Sequence, residues 1–504
     1  MNGAGTVALD ASEPPDRGAA DVGATPWRGR AGPLSALVLL VLSAIGLVSL
    51  GYAFFREAPE RDTLLAHGGV LLLSATMIYV LERVAPPRPF RFIPVFLIVS
   101  CTQPAALVLL TMLEGDVSYE NNYGQYSYHD GAVHQALAVI VFHLVIFSVG
   151  LIYAVVDRRA ADGWEPSLRG LTPSALTTLQ WLGGTAMLFR LVIDFRLLDG
   201  LPWLAYYGTL HAGYFLPFAF FIGVAFRRGV ATHRALVPLI VVYVAITLAG
   251  GSRTFAIMPV LAIGIGWALA RPLRRGQLAV AAAFGLLLFG AGMYAGDLLR
   301  SDARGRSADV AVDRLEHLDE VGRGSDTAGV TQSALRRLLR DGQHAVLTRV
   351  PDEIPFERNG LVDVPASILR GIVPGLNLSG RSVQLPRHFI LNDFGFYISW
   401  ESSIPHAMLP DAWYRGGWPG IILVAAFFAT FMVLLEAATI GSLALHPERI
   451  AVAVSAFSTV ILAENLEVAA ATRSVLWAAL AALLAEQLAK AHARRSTPGA
   501  RDRR

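Results

Sequence analysis

The chain of 504 residues has one cysteine, Cys101, and one lysine, Lys490. A lone cysteine cannot build an intrachain disulfide framework, a CxxC centre or a thiolate zinc cluster. Charged residues are scarce at 16%, against about 25% in soluble domains. That scarcity, beside so much apolar surface, excludes a disordered chain and a nucleic-acid-binding domain as the main theme. No Walker loop, kinase signature, HExxH helix or nucleophile elbow occurs, so neither ATP-driven nor zinc-hydrolase chemistry is supported. What the chain has in quantity is apolar surface: 54% hydrophobic residues and a mean hydropathy of +0.50. Its formal charge is only +3, carried almost wholly by arginine.

A bilayer core about 30 Å thick needs roughly 20 residues of helix, and about twelve runs of that order occur. They lie near 33–54, 63–81, 92–113, 133–155, 174–193, 206–226, 235–250, 254–270, 278–298, 419–440, 450–470 and 474–490. The expected fold class is therefore an all-α integral membrane protein. Arginines recur in alternate loops, as Arg83, Arg88 and Arg91, then Arg158, Arg159 and Arg169, then Arg227, Arg228 and Arg234, then Arg271, Arg274 and Arg275. Positive charge is retained on the cytoplasmic side. Both termini are thus expected inside and the acidic loop 114–132 outside. The organisation read from this is a polar cytoplasmic tail at 1–32, nine spans in 33–298, a large external loop at 299–418, three spans in 419–490 and a basic tail at 491–504. Within the large loop, 331–351 reads as an amphipathic helix, with Leu335, Leu338 and Leu339 on one face and Arg336, Arg337 and Arg340 around the other. Such a helix packs on its neighbours or lies on the headgroups.

Ionisable groups inside spans cost several kcal/mol and mark cavities or partners. Arg190, Glu464, Glu467, His134, His211, Arg253 and Asp297 all fall toward the outer ends of their spans. His143 alone lies near mid-membrane, where a buried structural histidine is the plainer reading. Between two apolar runs stands Gly250-Gly251-Ser252-Arg253-Thr254. Two glycines permit a tight turn, and the following helix would point free N–H groups at it. Ser252 and Arg253 there suit a phosphate or diphosphate, because guanidinium forks match phosphate oxygens. A helical hairpin with a snorkelling arginine is the alternative.

That turn, a late loop containing IPFERNG and SILRGIVPGLNLSG, and SSIPHAMLPDAWYRGGWPGIILV entering the next span together resemble bacterial oligosaccharide repeat-unit polymerases, the Wzy-type O-antigen polymerases. The resemblance covers roughly 235–440 of the chain. It departs in the middle of the loop, where Pro374, Arg381, Pro386 and Arg387 stand in a Gly/Ser-rich context. It implies a metal-independent membrane glycosyltransferase of GT-C-like architecture, without cofactor, in the cytoplasmic membrane. Its donor and acceptor would be polyprenyl-diphosphate-linked oligosaccharides, with a chain-length regulator and a flippase as partners.

In that reaction an acceptor hydroxyl attacks the donor's anomeric carbon and undecaprenyl diphosphate leaves. Arginines would neutralise the leaving group, and a His or carboxylate would take the proton. The candidate diphosphate ligands are Arg253, Arg370, Arg387, Arg415 and Arg190. Candidate bases or sugar contacts are His406, Glu401 and Asp411, with His388, Ser252, Glu464 and Glu467 as secondary cavity residues. Trp400, Trp413, Tyr397, Tyr414 and Trp418 suit either sugar stacking or an interfacial aromatic belt. An O-antigen-ligase-like transferase would share this layout with another acceptor. A transporter or flippase of lipid-linked sugars fits the span number, but the chain lacks the two related halves common in transporters. A polyprenyl-phosphate-sugar transferase fits less well, since the first external loop, FREAPERD, is short.

Overall fold

The computed structural model describes 33–54, 59–85, 91–121, 123–156, 215–228, 236–249, 341–356 and 408–439, with scattered positions in 181–192, 259–267, 335–339, 361–369 and 471–491. The helices are α1 Pro33–Phe54, α2 Pro59–Val84, α3 Phe92–Ser100, α4 Thr102–Glu114, α5 Ala132–Val156, α6 Phe215–Arg228, α7 Leu236–Ala249, α8 Asp341–Arg349 and α9 Met408–Thr439. Between α4 and α5 runs an antiparallel hairpin of β1 Ser118–Asn121 and β2 Gly124–Ser127, with Tyr119 opposite Tyr126. Among the described residues four helical stretches, Glu60–Val84, Phe92–Glu114, Ala132–Val156 and Met408–Ala438, are long and apolar enough to cross a membrane. The chain is a mostly helical membrane protein.

The sorting of side chains agrees with lipid as solvent. Val48, Ile152, Val156, Leu423 and Leu434 are exposed, whereas Thr63, His67, Ser74, Gln103, Gln135 and His143 are buried in the bundle. A polar group facing hydrocarbon would go unsatisfied, so polar residues turn inward. The apolar core continues between them, with Phe96 of α3 5.4 Å from Phe428 of α9 and 6.3 Å from Phe142 of α5, centroid to centroid.

Several expected spans end almost where the helices do, including α1, α5 and α7. The run at 92–113 differs in being broken at Cys101 into α3 and α4. Pro104 explains the break: it has no N–H for the Ser100 carbonyl, and its ring crowds that carbonyl. The span expected from 419 is also modified. Its helix is continued toward the loop as far as Met408, across non-helical Gly416 and Gly417, and Pro419 follows the kink as the first rigid residue of the long segment. The amphipathic helix expected over 331–351 is not continuous: the chain bends at Leu339 and the regular helix is Asp341–Arg349. The hairpin at 118–127 was not foreseen, since its tyrosines alternate with polar residues too short a way to register as strands.

Two ends of the bundle can be told apart. At one, Thr63 of α2, the hairpin, the start of α5, α8 and the start of α9 converge. At the other, Glu436 of α9 accepts a hydrogen bond from the Phe92 N–H at 3.1 Å and faces Arg91 at 3.7 Å. Glu436 thereby satisfies one of the free N–H groups at the start of α3, where a negative charge is favoured. The loop 114–132 and α8 meet at the same end of the bundle, where His344 contacts Tyr119 and Asp130.

Candidate functional site

The segment DAWYRGGWPG forms the first turns of α9 and its kink. Asp411 and Arg415 are one helical turn apart, both buried, and Arg415 Nε donates to Asp411 Oδ1 at 2.8 Å. An acid four residues before a base is the favourable order on a helix. The residues read from sequence as a base and a phosphate ligand are thus joined to each other. Trp413 is likewise committed inside the protein: its Nε1 donates to Val350 O at 3.0 Å, and its ring lies edge-on to His134, Trp418 and Phe356. Trp418, the more exposed of the two tryptophans of α9, lies edge-on to Trp413 and His134.

Above the bundle, α8 packs between the hairpin and α9. Arg336, just before it, donates to Ser118 O at 3.1 Å and pairs with Glu114, so this arginine of the loop contacts protein. His344 is held in a polar collar, with Tyr119 Oη at 3.0 Å from Nδ1 and Asp130 O at 3.2 Å from Nε2. Tyr119 and Tyr128 stack edge-on against its ring. Nearby, His129 bonds Thr63 Oγ1 through Nδ1 at 2.8 Å, and its Nε2 lies 3.0 Å from Gly115 O. His67, one turn below Thr63, is buried with neither ring nitrogen hydrogen-bonded. Among the described residues no three His, Cys, Asp or Glu side chains stand where they could hold a metal ion.

Burial lowers the His344 pKa from 6.5 to about 4, with the Asp130 carbonyl opposing the shift and His129 adding to it. Because the folded value lies below the free one, the unfolded chain binds the proton first. Stability is therefore greatest above pH 6.5 and falls as the pH drops from 6.5 toward 4, by on the order of 3 kcal/mol from this group. Hydrogen exchange of the hairpin amides should speed up across that window, and His344→Gln should flatten the dependence. An unchanged pH profile in that variant would assign the effect elsewhere.

Below α8 lies a small chamber between α3, α4, α5 and α9, lined by Ser100, Gln103, Phe142, His143, Gln343 and Met408 among others. It has room for about one or two water molecules. His143 stands on its wall and is hydrogen-bonded through both nitrogens, to Ser74 Oγ at 2.8 Å and Ser100 Oγ at 2.7 Å. The Pro104 break places Ser100 at a helix end, turned toward α5. Gln343 closes the chamber from the loop side, and its buried Oε1 has no hydrogen-bond partner.

Of the residues singled out from sequence, Asp411 and Arg415 are brought together. Arg253, Ser252, Arg190, Arg370, Arg387, His388, Glu401, His406, Glu464 and Glu467 lie outside the described residues. Ser74, Ser100, Gln103, Gln343, His67 and His344 went unnoticed. A signal did exist in α2, where Thr63, His67 and Ser74 fall at i, i+4 and i+11, one polar stripe along an apolar helix. No protein-family model, curated protein or solved structure matches this chain.

Proposed function

We propose that this chain is an oligosaccharide repeat-unit polymerase of the Wzy type. In this reading a GT-C-like glycosyltransferase of about twelve spans extends polyprenyl-diphosphate-linked glycans at the external face of the cytoplasmic membrane. The supporting observation is the packing of the 408–420 segment, which carries part of the resemblance. It lies with α8 and the hairpin at one end of the bundle, over a buried polar chamber. A loop packed on the end of the bundle suits a lipid-linked substrate, whose polar headgroup would meet the loop while its polyprenyl tail stays in the bilayer.

The reaction follows from charge. The acceptor hydroxyl displaces the polyprenyl diphosphate, whose negative charge grows as the glycosidic C–O bond breaks. Arg253, Arg370, Arg387 and Arg190 are the proposed cations, with Ser252 beside them and His406, Glu401 or His388 receiving the proton. Asp411 and Arg415, being paired, are assigned to holding the start of α9. Glu464 and Glu467 line the same outer cavity in this reading.

Reconstituted protein given polyprenyl-diphosphate-linked repeat units is expected to yield longer glycans with no translocation step. Arg253→Lys should lower elongation by about tenfold or more, since lysine keeps the charge and loses the bidentate fork. Full-length polymer from that variant would remove Arg253 from the site. In cells, deletion leaving single repeat units supports the polymerase; normal-length chains left unattached would instead make the protein a ligase.

A further inference from the structure

Arg227 stands in the last turn of α6, with its Cζ 4.4 Å from the centroid of the Trp267 ring. Its Nε is buried and lacks a hydrogen-bond partner, and among the described residues Arg227 forms neither an ion pair nor a hydrogen bond. An arginine in this position can donate to the carbonyls left free at the end of its own helix. Here the guanidinium lies over an indole instead.

Close backbone contact builds this arrangement. One turn before Arg227, Gly223 meets the segment 259–267, which is helical at its described positions. A Cβ on Gly223 would run into the Ile263 carbonyl oxygen, and a Cβ on Gly266, next to Trp267, would run into that of Phe220. Small residues that let two helices approach this closely are typical of contacts in membranes. The same stretch of α6 buries Ala219, Phe220, Ile222, Val224 and Ala225. Arg227 is therefore a cation set at the end of an apolar wall.

A guanidinium carries five N–H donors and no acceptor. The indole face attracts its charge but leaves those donors unanswered. The group that completes such a cation is an anion with several acceptor oxygens, and phosphate matches the fork. At the end of a membrane helix, lipid headgroups supply phosphate. Arg228 and Arg234 add positive charge to the same loop in the sequence, and clustered arginines beside a span attract anionic lipid.

We infer that Arg227 and Trp267 form a binding site for the phosphate of an anionic phospholipid, in the leaflet that the arginine-rich loop 227–234 faces. The guanidinium donates to the phosphate oxygens from its terminal nitrogens, and the indole holds its plane. The site uses none of the residues assigned to the reaction proposed above.

Native mass spectrometry of the delipidated full-length protein, titrated with phosphatidylglycerol or phosphatidylcholine of equal chain length, tests the site. The first phosphatidylglycerol should bind the wild type about fivefold tighter than phosphatidylcholine, and Arg227→Gln should lose that preference. Trp267→Leu and Arg227→Lys should each weaken phosphatidylglycerol binding, the lysine because it keeps the charge and loses the fork. Arg83→Gln is the control: Arg83 also stacks on a ring, that of Tyr79 at 5.0 Å, and has further contacts within the protein. It should leave phosphatidylglycerol binding as in the wild type. Equal losses in Arg83→Gln and Arg227→Gln would reduce the effect to general attraction by basic residues and overturn the site. So would unchanged binding in Arg227→Gln. Should that variant fail to fold, Arg227→Lys carries the decision, and wild-type binding there overturns the site. Excess inorganic phosphate should not displace the bound lipid; displacement at Arg227 would make the ligand a soluble phosphate and refute the lipid assignment.

Discussion

Asp411→Ala is expected to destabilise the protein by about 3–5 kcal/mol, because the substitution leaves the buried Arg415 guanidinium without the carboxylate 2.8 Å away. The two side chains are 3% and 1% exposed, so water cannot replace the lost charge. The loss would fall on the first turns of α9, where Asp411 also favours the positive end of the helix. Asp411→Leu combined with Arg415→Met should recover most of the stability, since removing both charges removes the desolvation cost along with the attraction. Thermal unfolding in detergent reads both variants. An unchanged midpoint for Asp411→Ala would show that the pair does not hold this helix. Activity adds a second decision: polymer formation restored in the double variant assigns the pair to architecture, whereas restored stability with no polymer returns Arg415 to the diphosphate.

The second large effect is expected at Gly420. A Cβ there would stand 2.2 Å from the carbonyl oxygen of Ala412, a backbone atom that cannot move aside without undoing the kink. Gly420→Ala should cost at least about 3 kcal/mol and expose the loop–α9 junction to protease. Gly417 is constrained differently: its φ of 57° and ψ of −141° suit only glycine, and an added Cβ would press on Phe356 at 3.2 Å. Gly416 is the internal control. Its φ of −174° is ordinary extended backbone with nothing within 4 Å of a new Cβ, so Gly416→Ala should be tolerated. Equal midpoints for Gly416→Ala and Gly420→Ala would refute this account of the kink.

The helices were legible where an apolar run meets clear stops. Pro33 and the end of the run near Phe54 bound α1, and the glycine and aspartate before Ala132 bound α5. α2 is longer than its apolar run because Glu60 and Arg61 at one end and Glu82 and Arg83 at the other remain helical while exposed, with Asp62 turned into the protein. Hydropathy sees only the part that lies in hydrocarbon. The break at Pro104 was available in the sequence, but inside an unbroken apolar stretch a proline reads as tolerated until its effect on Ser100 is seen.

The site was legible only in outline. Leu335, Leu338 and Leu339 marked a helix-forming loop segment that packs on the bundle, and the structure places them against the core. What that helix brings down with it, Gln343 and His344, carries no signature, because a glutamine in a loop looks the same whether it faces water or a sealed chamber. His143 was visible as a polar residue in the wrong solvent, and its partners were not. Ser74 and Ser100 are ordinary in membrane helices, and they lie 69 and 43 residues from His143 along the chain.

By itself, then, the sequence determined that this is a helical membrane protein and marked where several of its helices run. Those properties follow from composition and from periodicity within single segments, which need no partner to be read. Tertiary structure alone decided that Asp411 and Arg415 neutralise each other, that Trp413 faces inward, and that His143, Ser100 and Gln343 line one chamber, with Ser74 hydrogen-bonded to His143. Each of these depends on which faces of separate helices meet. Burial then sets the chemistry, since a charge or an amide means something different once its only possible partners are protein.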